Sequence, residues 1–352
     1  MTTTPASPIQ VGLASYGMSG TVFHAPLLSC HPGFKLKKIV ERHHNHSARR
    51  YPEAEVVRSF DALLQDEALE LIVVNTPNAL HLPMAKQALE AGKHVILEKP
   101  FTITSQDAAT LIATAKAHNR VLSVFQNRRW DGDFLTVQQI VSEKMLGQIV
   151  DYEAHFDRFR NYIEPDTWKE EAGPGSGILY NLGSHMIDQA LVLFGKPTAV
   201  TGEVGIQRPG GKVDDYYHLT LHYPQMRVTL KSSYLVREAG PRYILHGTEG
   251  TFLKSGIDPQ EAALKAGMLP TTPDWGTEPK EKYGLLNTQL HSLHVQGAVE
   301  TLPGNYTFYY QNIYEAIREG KPLAVKPEES MLGIQIIEAA MQSRSERRTI
   351  TL

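Results

Sequence analysis

The chain has 352 residues, enough for two domains rather than one simple core. Hydrophobic residues make up 41%, which excludes wholesale disorder. A net charge of -3, from 35 Lys plus Arg against 38 Asp plus Glu, lacks the basic excess of a nucleic-acid binder. With one cysteine, Cys30, no intrachain disulfide can form, so the chain is not built for an oxidising compartment.

The first 126 residues alternate short apolar runs with longer amphipathic stretches. Strands are predicted at 9–14 (IQVGLA), 34–40 (FKLKKIV), 69–75 (LELIVVN), 94–98 (HVILE) and 120–125 (RVLSVF), with helices clearest at 81–92 and 105–119. Strand, helix, strand, repeated, implies a parallel sheet covered on both faces, a doubly wound nucleotide-binding (Rossmann) domain over 1–126. After 127 the rhythm changes. A helix at 134–146 leads into a long alternating strand at 148–160, then strand-like runs at 198–207, 216–223, 226–236 and 242–247. The run HLTLHYPQMRVTLKSSYLV reads as an antiparallel hairpin turning at Pro224-Gln225. Two helices, at 306–320 and 327–346, close the chain. The second domain, 127–352, is therefore expected to be α+β with a large, mainly antiparallel open sheet, and the whole α/β.

The loop after the first strand, with Ser15, Tyr16, Gly17 and Gly20, carries two of the three glycines of G-x-G-x-x-G. Ser15 stands at the first glycine position, which serves the tight turn. Gly17 and Gly20 stand where backbone approaches a pyrophosphate and where helix packs on sheet. Glu41 follows Gly20 by 21 residues, at the end of the second strand, where a carboxylate would bind ribose hydroxyls. Glu41 argues for NAD and the adjacent Arg42, able to pair with a 2′-phosphate, for NADP; the choice stays open.

Two further stretches are more specific. NTPNALHLPMAKQALEAGKHVILEKP (75–100) and GPGSGILYNLGSHMIDQALVLFG (173–195) resemble the two signatures of the Gfo/Idh/MocA oxidoreductases. FQNRRWDGDFLT (125–136) and HFDRFR (155–160) are similar to the scyllo-inositol dehydrogenase branch. The resemblance implies NAD(H) or NADP(H) as cofactor and a C-terminal domain whose sheet carries substrate on one side. It also implies a homodimer or homotetramer through the other side. By the same resemblance Lys99 lies beside the nicotinamide and bonds the reacting hydroxyl, and Glu98 contacts the nicotinamide ribose. Thr76, Pro77, Asn78 and His81 match the loop passing the nicotinamide side.

His185 matches the histidine that takes the hydroxyl proton, a task suited to imidazole. On a helix Asn181, His185 and Asp188 share one face at i, i+4 and i+7. Many inositol-oxidising members have Asp where this chain has Asn181, which keeps hydrogen bonding and loses the charge. Asn127 is assigned to the cofactor site. With Arg129, Asp157, Arg158, Arg160 and Tyr217 it is polar enough to read a polyhydroxylated substrate.

The other histidines, in RHHNH (43–46) and at His218, His222, His291 and His294, lack an evident third ligand, so no metal is expected. The expected function is hydride transfer between nicotinamide and a sugar, inositol or related polyol. The alternative is a cofactor-binding regulatory protein without turnover. Nucleic acid and membrane partners are not expected: there is no basic run and no stretch of about 18 apolar residues. MTTTPASP lacks the basic and apolar regions of a secretory leader, giving a cytoplasmic expectation.

Overall fold

The computed structural model describes residues 7–165 and 167–352, so most of MTTTPASP lies outside the described residues. By packing the chain divides into two units.

The first unit is built on six parallel strands: β1 (Ile9–Leu13), β2 (Phe34–Val40), β3 (Glu55–Val57), β4 (Leu71–Val74), β5 (His94–Leu97) and β6 (Leu122–Val124). Their spatial order is β3-β2-β1-β4-β5-β6, so the winding reverses between β1 and β4, where open α/β sheets bind ligands. All four residues of β4 are buried, as a strand covered on both faces requires. The three residues of β3 are too few for periodicity to reveal, and the sequence reading did not include it. Helix Ser105–Ala117 begins at Thr104, whose hydroxyl accepts the Asp107 N–H at 3.1 Å, an N-cap.

The unit runs to Trp130 and also takes in Gln260–Trp275 and Asn305–Met331. It is thus discontinuous in sequence, where the sequence reading placed a single cut at 126/127. Aromatic packing explains this. Helix Thr307–Glu319 lays Tyr309 edge-on to Phe125 at 5.0 Å, Tyr310 to Phe34 at 5.9 Å, and is preceded by Tyr306 at 6.2 Å from Phe23. Arg318 donates to both oxygens of Glu70, at 2.6 and 2.8 Å. Arg128 pairs with Glu261; burial favours the neutral acid, but the charges of Arg128 and Lys265 win and hold its pKa at about 2.

The second unit holds a nine-stranded sheet. Its strands are β7 (Ile149–His155), β8 (Ala199–Gly205), β9 (Tyr216–His222), β10 (Arg227–Ser233), β11 (Tyr243–Gly247), β12 (Gly250–Lys254), β13 (Gly284–Leu290), β14 (Leu293–Val299) and β15 (Ile350–Thr351). The order is β14-β13-β12-β11-β7-β10-β9-β8-β15, and the β7–β10 pair alone among these is parallel. The hairpin predicted at Pro224-Gln225 is present, with Tyr223 N–H bonded to the Met226 carbonyl. The 148–160 strand ends sooner, at His155. Strict alternation along β9 buries Tyr217, Leu219 and Leu221 and leaves Tyr216, His218, Thr220 and His222 half-buried on the other face. Helix Ser184–Phe194 and the later turns of Pro327–Glu346 pack on the buried face. There a Cβ at Gly202 would lie 2.7 Å from the Ala340 carbonyl oxygen. Among the described residues no helix is long and apolar enough to cross a membrane.

Candidate active site

In the first unit the predicted cofactor residues converge at the carboxyl ends of β1, β4 and β5. Ser15 Oγ accepts the Gly17 N–H at 3.2 Å, and the Asn75 amide holds the Ser15 carbonyl at 2.8 Å. Asn75, just past β4, therefore ties the loop across the point where the winding reverses, a role the sequence reading did not assign. The two glycines differ in kind. A Cβ at Gly20 would lie 2.4 Å from the Ser15 carbonyl oxygen and 3.0 Å from Asn75 Nδ2, so Gly20 serves a close approach of chain to chain. A Cβ at Gly17 would meet nothing nearer than Ser15 Oγ at 3.5 Å, so the space over Gly17 is open. Gly17 is exposed, and Tyr16 packs edge-on to Tyr51 at 6.3 Å, its phenol pKa raised by burial.

The sequence predicts a regular helix after this loop. The structure opens it with a π turn at Gly20–His24 before the α-helix Ala25–Cys30; such turns recur at functional sites. Thr76 Oγ1 and Asn75 Oδ1 are buried and make no hydrogen bond, unusual for buried polar atoms and consistent with acceptors kept for a ligand. Pro77 is exposed and leads into a short 3-10 turn, Asn78–Leu80. His81 is buried, with one ring nitrogen 2.9 Å from the Pro100 carbonyl and the other 3.0 Å from that of Thr76. Burial lowers its pKa against the opposing pull of Glu98 and these carbonyls. It braces two loops, which is a positioning role.

Lys99 follows β5, half-buried, and its bond to Pro100 is cis. Glu98 beside it is 8% exposed: Oε1 lies 2.9 Å from His24 Nε2, and Oε2 accepts the Lys99 main-chain N–H at 3.0 Å. Burial would raise the Glu98 pKa. The His24 hydrogen bond, with the charges of His24, Lys99 and His81, outweighs it and lowers the value below normal. Tyr310 closes the set, its hydroxyl 2.7 Å from His24 Nδ1. The sequence reading missed His24 and Tyr310. The one local sign was an imidazole in the apolar run VFHAPLL, and its partner lies 286 residues away.

Glu41, expected at the ribose, has its carboxylate engaged by its own loop. It is buried and accepts N–H bonds from His46 at 2.9 Å and Ser47 at 2.8 Å, and the Ser47 hydroxyl at 2.5 Å. Burial raises its pKa, but these three bonds win and lower it. It closes the loop 42–46 and caps the short helix Ser47–Arg50, while Arg58 bonds the Glu41 and His44 carbonyls. Arg42 is left exposed at the head of that loop. Asn127 is buried in the 3-10 turn Asn127–Trp130. Arg129, read as a substrate contact, donates to the Ala324 carbonyl at 2.6 Å and to Glu329 at 3.0 Å, and so anchors the chain ahead of helix Pro327–Glu346.

In the second unit Asn181 sits in a π turn, Leu179–Gly183, and His185 in the α-helix Ser184–Phe194. The wider turn replaces the regular helix assumed from spacing; its closing bond runs from Ser184 N–H to Leu179 O. His185 and Asp188 are buried. Asp214 anchors the turn: its carboxylate accepts the Leu179 N–H at 2.8 Å, with a pKa raised by burial. A Cβ at Gly177, whose φ is +92°, would fall 2.0 Å from Asp214 Oδ1. Asp157 accepts the Ser233 N–H at 3.0 Å and stands 3.6 Å from His155 Nδ1. Arg158 and Arg160 lie over the rings of Phe156 and Tyr234, at 5.3 and 5.6 Å.

Tyr217 departs from the expectation of a substrate contact. It is 0% exposed and its hydroxyl donates to Met186 Sδ at 2.9 Å, because strand alternation turns it under the helices. On the opposite face Gln207, Tyr216, Lys231, Ser233, Leu235 and Val236 line an open depression of about 520 Å³.

Residues 9–126 match the model of an oxidoreductase family, NAD-binding Rossmann fold, and 138–352 match that family's C-terminal alpha/beta domain. The chain belongs to the Gfo/Idh/MocA oxidoreductase family. Within it, the chain is 43% identical to scyllo-inositol 2-dehydrogenase (NADP(+)) IolW of Bacillus subtilis, over 98% of this chain and 96% of that one. It is 42% identical to the Escherichia coli oxidoreductase YdgJ, over 98% and 99%. The solved structure of the oxidoreductase yvaA from Bacillus subtilis superposes with a TM-score of 0.95 at 42% identity, covering 99% of this chain and all of that one. Membership of the Gfo/Idh/MocA family makes the chain an NAD(P)-dependent dehydrogenase or reductase. The open space over Gly17, the helix start beyond it and the orphaned Asn75 and Thr76 oxygens fit a dinucleotide at the ends of β1 and β4.

Proposed function

We propose that this oxidoreductase acts on a secondary hydroxyl, or the matching carbonyl, of an inositol or related polyol, and that it uses NADP(H) in preference to NAD(H). The observation that carries the reading is Lys99, half-exposed at the carboxyl end of β5 beside the cofactor loop. Similarity to a scyllo-inositol dehydrogenase supports the substrate class.

Ser15, Gly17 and the first helical N–H groups would hold the pyrophosphate, and Thr76, Pro77 and Asn78 would flank the nicotinamide. The bound nicotinamide supplies the hydride acceptor for oxidation and the donor for reduction. Lys99 donates a hydrogen bond to the reacting oxygen and stabilises its developing charge. His185 takes the hydroxyl proton during oxidation and returns it during reduction. Asn181, an amide, orients a substrate hydroxyl without adding charge.

Cofactor preference follows from Glu41. A carboxylate engaged by Ser47 and His46 offers little to a ribose diol and sets no outward charge against a phosphate. The exposed guanidinium of Arg42 can then pair with a 2′-phosphate.

The test is a panel of inositol isomers and aldoses, each with NADP and NAD, followed by absorbance of the reduced nicotinamide. Turnover with one class, lost in Lys99→Ala, is expected. Cofactor binding with no turnover on any polyol would refute the substrate class.

A further inference from the structure

We propose that His24 is a positioning residue for the reaction: it holds the Glu98 carboxylate in place against the Lys99 main-chain N–H, and so fixes where Lys99 presents its ammonium. The inference rests on the reading of Lys99 as the group that bonds the reacting oxygen.

The geometry is specific. His24 is 0% exposed, at the end of the π turn, with Phe125 packed at 4.4 Å between ring centroids. A carboxylate only accepts, so Nε2 must carry the proton given to Glu98. Nδ1 meets the Tyr310 hydroxyl at 2.7 Å, a group able to donate or accept and so a partner for the ring in either form. Both ring nitrogens thus have a partner, and the ring is held by its two polar contacts. The second carboxylate oxygen turns back to the N–H of the next residue, Lys99. The chain Tyr310–His24–Glu98–Lys99 runs from the helix Thr307–Glu319 to the end of β5, all within the first unit.

A purely structural role explains this set poorly. A buried carboxylate costs stability unless fully bonded, and an apolar set of similar volume fills such a site as well or better. The arrangement gains its sense from the group at its end. Glu98 fixes the main chain of Lys99, and its charge, held in a buried place, attracts the Lys99 ammonium. Lone pairs on Oε2 remain for a ribose hydroxyl, so bracing Lys99 does not exclude a contact with cofactor.

The test compares His24→Met, which removes the donor at similar volume, with His24→Gln, which keeps one. Both are read with Glu98→Gln and the double variant His24→Met/Glu98→Gln. The first readout needs no substrate: hydrogen exchange of the Lys99 amide in the free protein. Its protection should fall about tenfold in His24→Met and recover in His24→Gln. The second is turnover: kcat should fall roughly 10- to 100-fold in His24→Met with substrate KM within about threefold, and His24→Gln should recover most of it. The double variant should be no slower than Glu98→Gln alone.

A folded His24→Met with wild-type exchange and kcat would overturn the inference, as would losses that simply multiply in the double variant. Should His24→Met not fold, Glu98→Gln decides: wild-type Lys99 protection and wild-type kcat overturn the proposal. Turnover that survives in Lys99→Ala would instead refute the reading of Lys99, a different result from any of these.

Discussion

The two loop glycines should fail in opposite ways when given a methyl group. In Gly20→Ala the new Cβ is built 2.4 Å from the Ser15 carbonyl oxygen, a main-chain atom held by Asn75 and unable to swing aside. Relief requires moving the loop from the helix, an overpacking penalty of about 1–3 kcal/mol. For a unit of this size that reads as a fall in melting temperature of roughly 2–10 °C. In Gly17→Ala the nearest atom is Ser15 Oγ at 3.5 Å, an ordinary contact, so the free protein should melt within about 2 °C of wild type. The methyl would instead occupy the space a pyrophosphate needs to reach the main chain. Losing one charge-assisted N–H bond, worth about 1.5–3 kcal/mol, predicts cofactor binding weaker by roughly 10- to 100-fold. The assay is thermal unfolding of each free variant with a titration of reduced-cofactor fluorescence. A Gly17→Ala protein that binds cofactor like wild type would refute the placement of the pyrophosphate. A Gly20→Ala protein as stable as wild type would refute the close-approach argument.

Removal of the Arg42 guanidinium should discriminate between cofactors. Arg42→Ala is expected to weaken NADP binding about 10- to 100-fold and leave NAD within about threefold, measured by titration of each. Burial lowers the His94 pKa to about 4, and Nδ1 accepts the Val121 N–H at 2.9 Å, a bond only the neutral ring can make. Its folded-state value is depressed, so its contribution is fully present above the unfolded value near 6.5 and is lost as pH falls toward 4. Denaturant unfolding should therefore show stability declining by about 2–3 kcal/mol from pH 7 to 4 through this group, and His94→Gln should flatten that slope. Tyr217→Phe removes a hydroxyl that meets only Met186 sulfur. Substrate KM should stay within about twofold and stability within about 1 kcal/mol, and a large rise in KM would restore Tyr217 to the substrate site.

Much of the architecture was legible because it is written locally. Runs such as LIVV can be satisfied only by a strand buried on both faces, and the alternation of HLTLHY only by a sheet with one covered face. Gly17, Gly20 and the Glu-Lys-Pro run follow β1 and β5, as the apolar runs ahead of them implied. The short strands β3 and β15 offered too little pattern, β12 to β14 were not predicted, and His291 proved to lie in the tight turn between β13 and β14, at φ 56°.

What sequence could not decide was which way a side chain turns and what meets it from far along the chain. Glu41 stands at the ribose-binding position, yet whether its carboxylate looks outward or caps Ser47 depends on how the loop after β2 folds back. Tyr217 is as polar as Tyr216 on paper; one step of strand register sends one hydroxyl into the core and leaves the other half-buried on the opposite face. Nothing near His24 in sequence names its partners, Tyr310 and Glu98, which reach it from a distant helix and from the end of β5. Local chemistry is a property of the residues in order, whereas hydrogen-bond partners are a property of the packed chain, and only the tertiary structure could supply them.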